Sequence, residues 1–443
     1  MDLQNTVAHS NFTSAVISKA TPSKCSVKMR RLVASDFTQK VIQTSGAQVI
    51  RILTGLTTTI VIARALGPAG RGLYAVAVAT GALGVQFSNL GLPTSNIYFA
   101  ARSRGDVAAL LGNALLVGFG GGAILALALG AAFAVHPGFL SLNTSTALLV
   151  LIGIPIGLAY LLMQNILLGL QNVWTYNVIE TVSKLVPLIL ILGLIRFRSS
   201  SVCTMYAASL VGLAVACAWT YRELTIHTIG SVIVSVAVFR DSIIYATKAY
   251  LGALFCFLVL RADLFIVKLK LGATSAGYYS IAGAMGDILP FFSVTIGAIL
   301  FPKLSASDDM ELKIRLTYRA VIATAAITAP LLALSVALCK PLVRTIFGPS
   351  FAPAAVAWNL LAPGIFFLSL EAVAVQFLNS IGYPVKLVVM WLVCCGLNII
   401  LNLFAIPRYG IAGASIISTL CYFLAFVFVL ASIHFHHYSL TQC

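Results

Sequence analysis

The stretch "ARALGPAGRGLY" (63–74) closes about 20 mostly apolar residues with two arginines, a proline and three glycines. Glycine and proline at this density read as a tight reversal between two long apolar runs. A close copy, "KLGATSAGYY" (270–279), returns in the second half of the chain. Leu66, Gly67, Gly72, Tyr74 and Ala77 coincide with Leu271, Gly272, Gly277, Tyr279 and Ala282 at a constant offset of 205 residues. A weaker correspondence joins "GLQNVWTYNVI" (169–179) to "SIGYPVKLVVM" (380–390), at an offset of 211.

Composition sets the environment of these turns. Of 443 residues, 60% are hydrophobic and 9% charged, and the mean hydropathy is +1.00. A soluble chain carries roughly 25% charged residues, so most of this apolar surface is expected to face lipid. Apolar runs of spanning length fall near 43–66, 72–99, 107–135, 146–169, 173–195, 202–221, 243–267, 276–301, 318–339, 354–379, 385–406 and 411–433. The fold class expected is therefore an all-α polytopic membrane protein of about twelve transmembrane helices. The repeated turn divides it into two six-helix lobes. Six is even, so both lobes insert with the same orientation and the internal repeat is parallel.

The expected domains are a basic cytosolic tail (1–40), an N-terminal lobe (41–221), an amphipathic helical linker on the inner face (222–242), a C-terminal lobe (243–434) and a short tail (435–443). Lysine and arginine placement agrees with cytosolic termini: fifteen fall on the N-terminal side of the bilayer and eight on the other. No cleavable signal peptide is expected, because the polar tail precedes the first apolar run. The net charge of +16 points to loops held by anionic lipid, and no long basic run points to nucleic acid. The nine cysteines, mostly inside apolar runs, lack metal-ligand or disulfide spacing and read as packing residues.

A charge at mid-membrane costs about 2.5–3.5 kcal/mol on the insertion scale, so each one within a span needs a reason. Five cations (Arg51, Arg64, Lys184, Lys248, Arg261) and four acids (Glu180, Asp263, Asp287, Glu371) fall there. Glu180 and Lys184, four apart, can pair on one helical face. Arg51 and Arg261 are candidates to fork onto a phosphate, with Lys184 and Lys248 completing a cationic set. Asp263, with Glu180 and Glu371, has two readings: seat of a coupling proton or sodium ion, or partner of a buried cation. Asp287, just before Pro290, reads as structural. Gly67, Gly72, Tyr74, Gly272, Gly277 and Tyr279 are structural residues of the repeated turn, with Arg64 and Arg71 anchoring it at the outer head-group level. No metal site is expected. Walker A, H-E-x-x-H and G-x-S-x-G motifs are absent, and loops of about 20 residues leave no room for a donor-binding domain, so the chain does not read as an enzyme.

"ARALGPAGRGLYAVAVATGALGVQFSNLGLPTSNIYF" and "RADLFIVKLKLGATSAGYYSIAGAMGDILPFFSVTIGAILFPKLS" resemble helices 1–2 and 7–8 of Wzx-type flippases. "FGPSFAPAAVAWNLLAPG" and "NIILNLFAIPRYGIAGASIIS" resemble their later helices. These flippases are the polysaccharide transporters of the multidrug/oligosaccharidyl-lipid/polysaccharide exporter superfamily, and the likeness runs from about residue 40 to 430. It implies a flippase that moves a polyprenyl-diphosphate-linked oligosaccharide across the bacterial inner membrane by alternating access. The product would be a surface polysaccharide such as O-antigen, capsule or exopolysaccharide. The implied partners are the lipid-linked substrate, the bilayer and polysaccharide polymerase or assembly proteins; no cofactor is implied beyond a coupling proton or sodium ion. Family members vary in their cavity residues, so Arg51 and Arg261 rest on burial alone. Two other readings stand beside it: a cation-coupled exporter of small molecules on the same fold, and a non-transporting scaffold for polysaccharide assembly. A lipid II flippase usually has extra helices, for which this length leaves no room.

Overall fold

Gly67 and Gly272, the first glycines of the repeated turns, share one backbone conformation: φ 66° and 86°, ψ −177° and −178°. A side chain rarely tolerates it, and glycine does so without steric cost. Each sits within a run of helix too long for one membrane pass. The 46 apolar residues of Gln43–Ser88 would extend about 69 Å as a straight helix, over twice a hydrocarbon core of about 30 Å. The glycine is where the run folds.

The computed structural model describes residues 24–135, 142–228, 230–382 and 384–441. Its helices are α1 (Lys24–Ser88), α2 (Leu92–Arg102), α3 (Val107–Leu115), α4 (Gly122–Val135), α5 (Thr144–Gly169), α6 (Val173–Arg196) and α7 (Val202–His227). They continue as α8 (Val236–Gly286), α9 (Pro290–Ser305), α10 (Met310–Ala337), α11 (Cys339–Ile346), α12 (Ala354–Ser380) and α13 (Val385–Thr441). A π-helical turn, Leu116–Gly121, joins α3 to α4. Nine described helices are long and apolar enough to cross a membrane. Three of them, α1, α8 and α13, bend at Gly67, Gly272 and Gly410 and count twice, which makes twelve passes. The chain is a multi-pass, all-helical membrane protein.

Local chemistry moves several expected boundaries. The run read as 72–99 stops at Ser88, where Leu90 and Gly91 turn left-handed and the Asn89 side chain accepts from the Gly91 N–H at 2.8 Å. Pro93 then sits in the first turn of α2, where its missing N–H is harmless. The run read as 276–301 breaks after Gly286, and Pro290 opens α9. The segment 222–242 is not one amphipathic helix: α7 carries it to His227, residues 231–235 have no helix, and Val236 starts α8. Asn113 holds that non-helical stretch by both accepting from the Ser235 N–H (3.1 Å) and donating to the Ser235 carbonyl (3.0 Å). Of the expected tail, residues 1–23 lie outside the described residues, and from Lys24 the chain is helical and continuous with the first span.

Burial divides the interior. One large apolar cluster gathers buried residues from Val259 to Ile433 with Ala63, Val76 and Ala79 from the first half, and Leu56, Ile60, Ala75, Phe133 and Leu142 pack against it. Two smaller clusters are built from Ile62 to Leu224, and Val238, Phe239 and Ile243 from the start of α8 pack on one of them. The two regions meet where α1 packs along α8.

At the Gly67 end of that boundary the repeated turns face each other. A Cβ at Gly72 would overlap the Ala273 carbonyl oxygen, and one at Gly277 would overlap the Pro68 carbonyl oxygen. Pro68 and Ala273 are themselves 205 residues apart, so the contact is reciprocal: each turn presses its glycine against the same carbonyl of the other. Only glycine permits backbones this close.

Candidate functional site

Directly behind this contact lies Arg71. It is 7% exposed, its Nε is buried without a hydrogen-bond partner, and its guanidinium stands 5.6 Å from the centre of the Tyr74 ring. The expectation of a head-group anchor is corrected here: Gly72, the next residue, is clamped against the second half, and this draws Arg71 inside. Arg64 is exposed but also does not simply anchor a helix end. Its Nε donates to the Ile346 carbonyl at 2.7 Å and its Nη2 to that of Thr345, capping the C-terminus of α11 from across the boundary.

Arg261 and Asp287 face one another at 3.7 Å, with side chains 41% and 67% exposed. Asp287 also lies within electrostatic reach of Arg71, with no ion pair or hydrogen bond between them. The structural reading of Asp287 therefore gains a charge partner. Asp263, two residues from Arg261, points elsewhere and is 2% exposed. It accepts from the Tyr279 hydroxyl, from Ser418 Oγ at 2.8 Å and from the Leu264 N–H at 2.7 Å, and it pairs with no cation. The turn tyrosines thus play matching parts: Tyr74 bonds Ser209 at 2.8 Å, and Tyr279 lies 3.4 Å from Ser418. In the second half a carboxylate has been added to the pair.

The helix that carries Ser418, α13, also holds a buried amide pair. Asn402 donates to Asn398 Oδ1 at 3.1 Å; both are fully buried, leaving Asn398 Nδ2 and Asn402 Oδ1 unpartnered. Their spacing of four within an apolar run was a readable signal of one shared helical face. Glu371 is 4% exposed and accepts no hydrogen bond from a described residue; its electrostatic neighbours are the thiols of Cys256 and Cys394. Among the described residues no cluster of three or more His, Cys, Asp or Glu could hold a metal ion.

The first-half charges form a separate group. Arg51 donates through Nη1 to Asn177 Oδ1 at 3.2 Å and through both Nε (3.2 Å) and Nη2 to Gln48 Oε1, and Asn177 donates onward to Thr44 at 3.2 Å. Glu180 does not pair with Lys184. It accepts from the Tyr160 hydroxyl at 2.7 Å, because α5 packs a phenol against it while Lys184 projects outward, exposed. Lys248 is likewise exposed, and neither lysine bonds to a described residue. The seven ionisable candidates, with Asp287 and Arg71, therefore separate into Arg51 with its amide partners, Glu180 with Tyr160, an Arg261–Asp287 pair near Arg71, Asp263 with its hydroxyl donors, and Glu371, with the two lysines apart. Sequence reasoning missed Arg71 as a buried residue and missed Tyr160 and Asn177 altogether, since a partner on another helix leaves no trace in spacing.

The fold has known counterparts. An inward-facing multidrug resistance transporter of the MATE family, in the MOP superfamily, superposes with a TM-score of 0.70 at 13% identity, covering 88% of this chain and 96% of that one. The lipid II flippase MurJ in an inward closed conformation gives 0.69 at 14% identity, covering 89% and 87%. An outward-facing MATE transporter gives 0.58 at 13% identity, covering 91% and 96%. An uncharacterised membrane protein of Methanocaldococcus jannaschii is 30% identical over 156 residues, 34% of this chain and 31% of that protein, so the match spans about a third of the curated relative. The family model described as "Polysaccharide biosynthesis protein" matches residues 61–356, from the first turn through the second and on to α12. The chain belongs to this polysaccharide biosynthesis protein family.

Proposed function

We propose that this protein is a flippase that carries a polyprenyl-diphosphate-linked oligosaccharide across the bacterial inner membrane, both termini cytosolic, by alternating access between two lobes. The observation that carries the reading is the reciprocal turn contact with Arg71 and Arg261 behind it. Two largely separate packed regions meet at one end through the reciprocal glycine contact and the Arg64 bonds to α11, and cations stand where the boundary would open. The family, named for polysaccharide biosynthesis, supports a lipid-linked sugar as cargo. A diphosphate would engage the guanidiniums as forked, charge-assisted acceptors, with Arg51, Lys184 and Lys248 offering further charge along the path.

Export against a gradient needs a coupled ion. Asp263 suits a proton or sodium ion, being a buried carboxylate whose hydrogen bonds from described residues all come from neutral donors. The second reading, a cation-coupled exporter of small molecules, draws on the same carboxylates and on the multidrug transporters among the structural relatives. The sidedness of the lipid-linked oligosaccharide in inner-membrane vesicles separates the two. Loss of the protein is expected to leave the intermediate on the cytosolic leaflet, with Arg51→Ala and Arg261→Ala reproducing part of that defect. Unchanged sidedness would sink the flippase and favour the exporter.

A further inference from the structure

Arg71 is a costly side chain to bury. It is nearly inaccessible, its Nε has no acceptor, none of its N–H groups bonds to a described residue, and its one contact of note is the Tyr74 ring. A desolvated cation without a hydrogen-bonded counter-charge is unfavourable, and a ring face offsets only part of that. Asp287, the acid within its electrostatic reach, is largely exposed and already shared with Arg261. A missing acceptor at such a place is the mark of a group that meets its partner during function.

Its position in the chain adds the second element. Gly72, the adjacent residue, makes the backbone contact with Ala273 and Gly277 that closes the Gly67 end. Any motion that parts the two turns must move Arg71 with it and let water reach the guanidinium. The strength of a charge pair falls steeply as water enters, because the effective dielectric constant rises.

From these observations we propose that Arg71 is an anion-binding residue, taking a phosphate or diphosphate group, whose grip is set by the glycine contact beside it: strong while the turns are sealed, weak once they part. The inference rests on the transporter reading and extends it. Opening the outer end would itself loosen the head group, so release needs no separate trigger. The same link runs in reverse, since an anion on Arg71 relieves the unpaired charge and favours the sealed state, as any ligand that prefers one conformation must.

The test uses the full chain in lipid nanodiscs, inorganic pyrophosphate as probe in magnesium-free buffer, calorimetry for affinity and deuterium uptake at residues 66–74 for the seal. Arg71→Gln is expected to weaken pyrophosphate binding by about tenfold or more, and Arg71→Lys by less, since it keeps the charge but not the fork. Without pyrophosphate, Arg71→Gln should melt no lower than the parent, because it removes an unpaired charge. Gly277→Ala, which wedges the seal from the other half and leaves Arg71 intact, is expected to raise uptake and weaken pyrophosphate several-fold. Combined with Arg71→Gln it should cost nothing further. Arg315→Gln, in an exposed pair with Glu311, is the control. The proposal is overturned if Arg71→Gln binds like the parent, or if the wedge raises uptake without weakening binding. It also falls if neither Gly277→Ala nor Gly277→Val raises uptake. Vesicle sidedness keeps the two readings apart. If lipid crosses normally while Arg71→Gln binds pyrophosphate like the parent, the Arg71 assignment fails alone; if no lipid crosses but the binding results hold, the flippase reading fails alone.

Discussion

At the scale of single residues, Tyr74 and Tyr279 offer a controlled comparison. They occupy the same place in the two turns and reach serines on the final long pass of each half, Ser209 and Ser418. Only Tyr279 also donates to a buried carboxylate. Removing a donor from a charged acceptor costs more than removing one from a neutral hydroxyl. Tyr279→Phe is therefore expected to destabilise by about 2–3 kcal/mol and Tyr74→Phe by about 1 kcal/mol, read as a larger fall in melting temperature in detergent for the first. Equal falls would show that Asp263 does not depend on Tyr279. Glu371 reverses the usual sign. With no hydrogen bond from a described residue to lose, Glu371→Gln is expected to change stability by under about 1 kcal/mol or to raise it, since nothing offsets the burial of its charge. A drop in transport without a drop in melting temperature would then mark Glu371 as a working group; loss of both would mark a structural one.

At the scale of elements, Arg64 tests how the halves are held together. Its two bonds to the end of α11 satisfy carbonyls that a helix of eight residues leaves open. Arg64→Ala is expected to raise deuterium uptake across Cys339–Ile346, with a stability cost of about 0.5–1 kcal/mol. Unchanged uptake would make the contact incidental. This scale also shows what the sequence could convey. Run length and glycine-proline punctuation placed every long helix, because spanning a bilayer imposes a minimum length whatever the helix packs against. Faces were another matter. Helices such as α5 and α12 are apolar all round, so no stripe tells which side meets protein and which meets lipid. Hence Glu180 was matched to Lys184 on its own helix, although its partner was Tyr160 on the neighbouring one. The same blindness placed Arg71 among head groups, since a turn residue shows nothing in sequence of what folds over it.

At the scale of the whole molecule, the two cores and the single reciprocal contact between turns define how the chain would move. The second half holds one broad apolar cluster and the first half two smaller ones, while the boundary at the Gly67 end rests on close backbone approach and the Arg64 bonds. Interiors packed like crystals resist deformation, so rigid rotation of the halves is the expected motion, with α8 as the shared member: its first turns pack on one core and its later turns on the other. Cutting the chain in the non-helical stretch near residue 230 would leave each half with its own core. Co-expressed fragments 1–229 and 230–443 are expected to co-purify and to retain much of the parent's transport. Fragments that never associate would show that α8 needs its covalent tie.

The reciprocity of the turn contact reaches further than closure. A surface on which glycine meets carbonyl and carbonyl meets glycine is its own complement, the defining property of an isologous interface in a two-fold dimer. Here the two copies are parts of one chain, and among their differences are Arg64 and Arg71 on one side against Leu269 and Ala276 at the same offset on the other. The turn is thus a dimerisation patch enclosed within a monomer. A half-length chain carrying either copy would present that patch unpaired, and in a bilayer it would find its mate in another copy of itself.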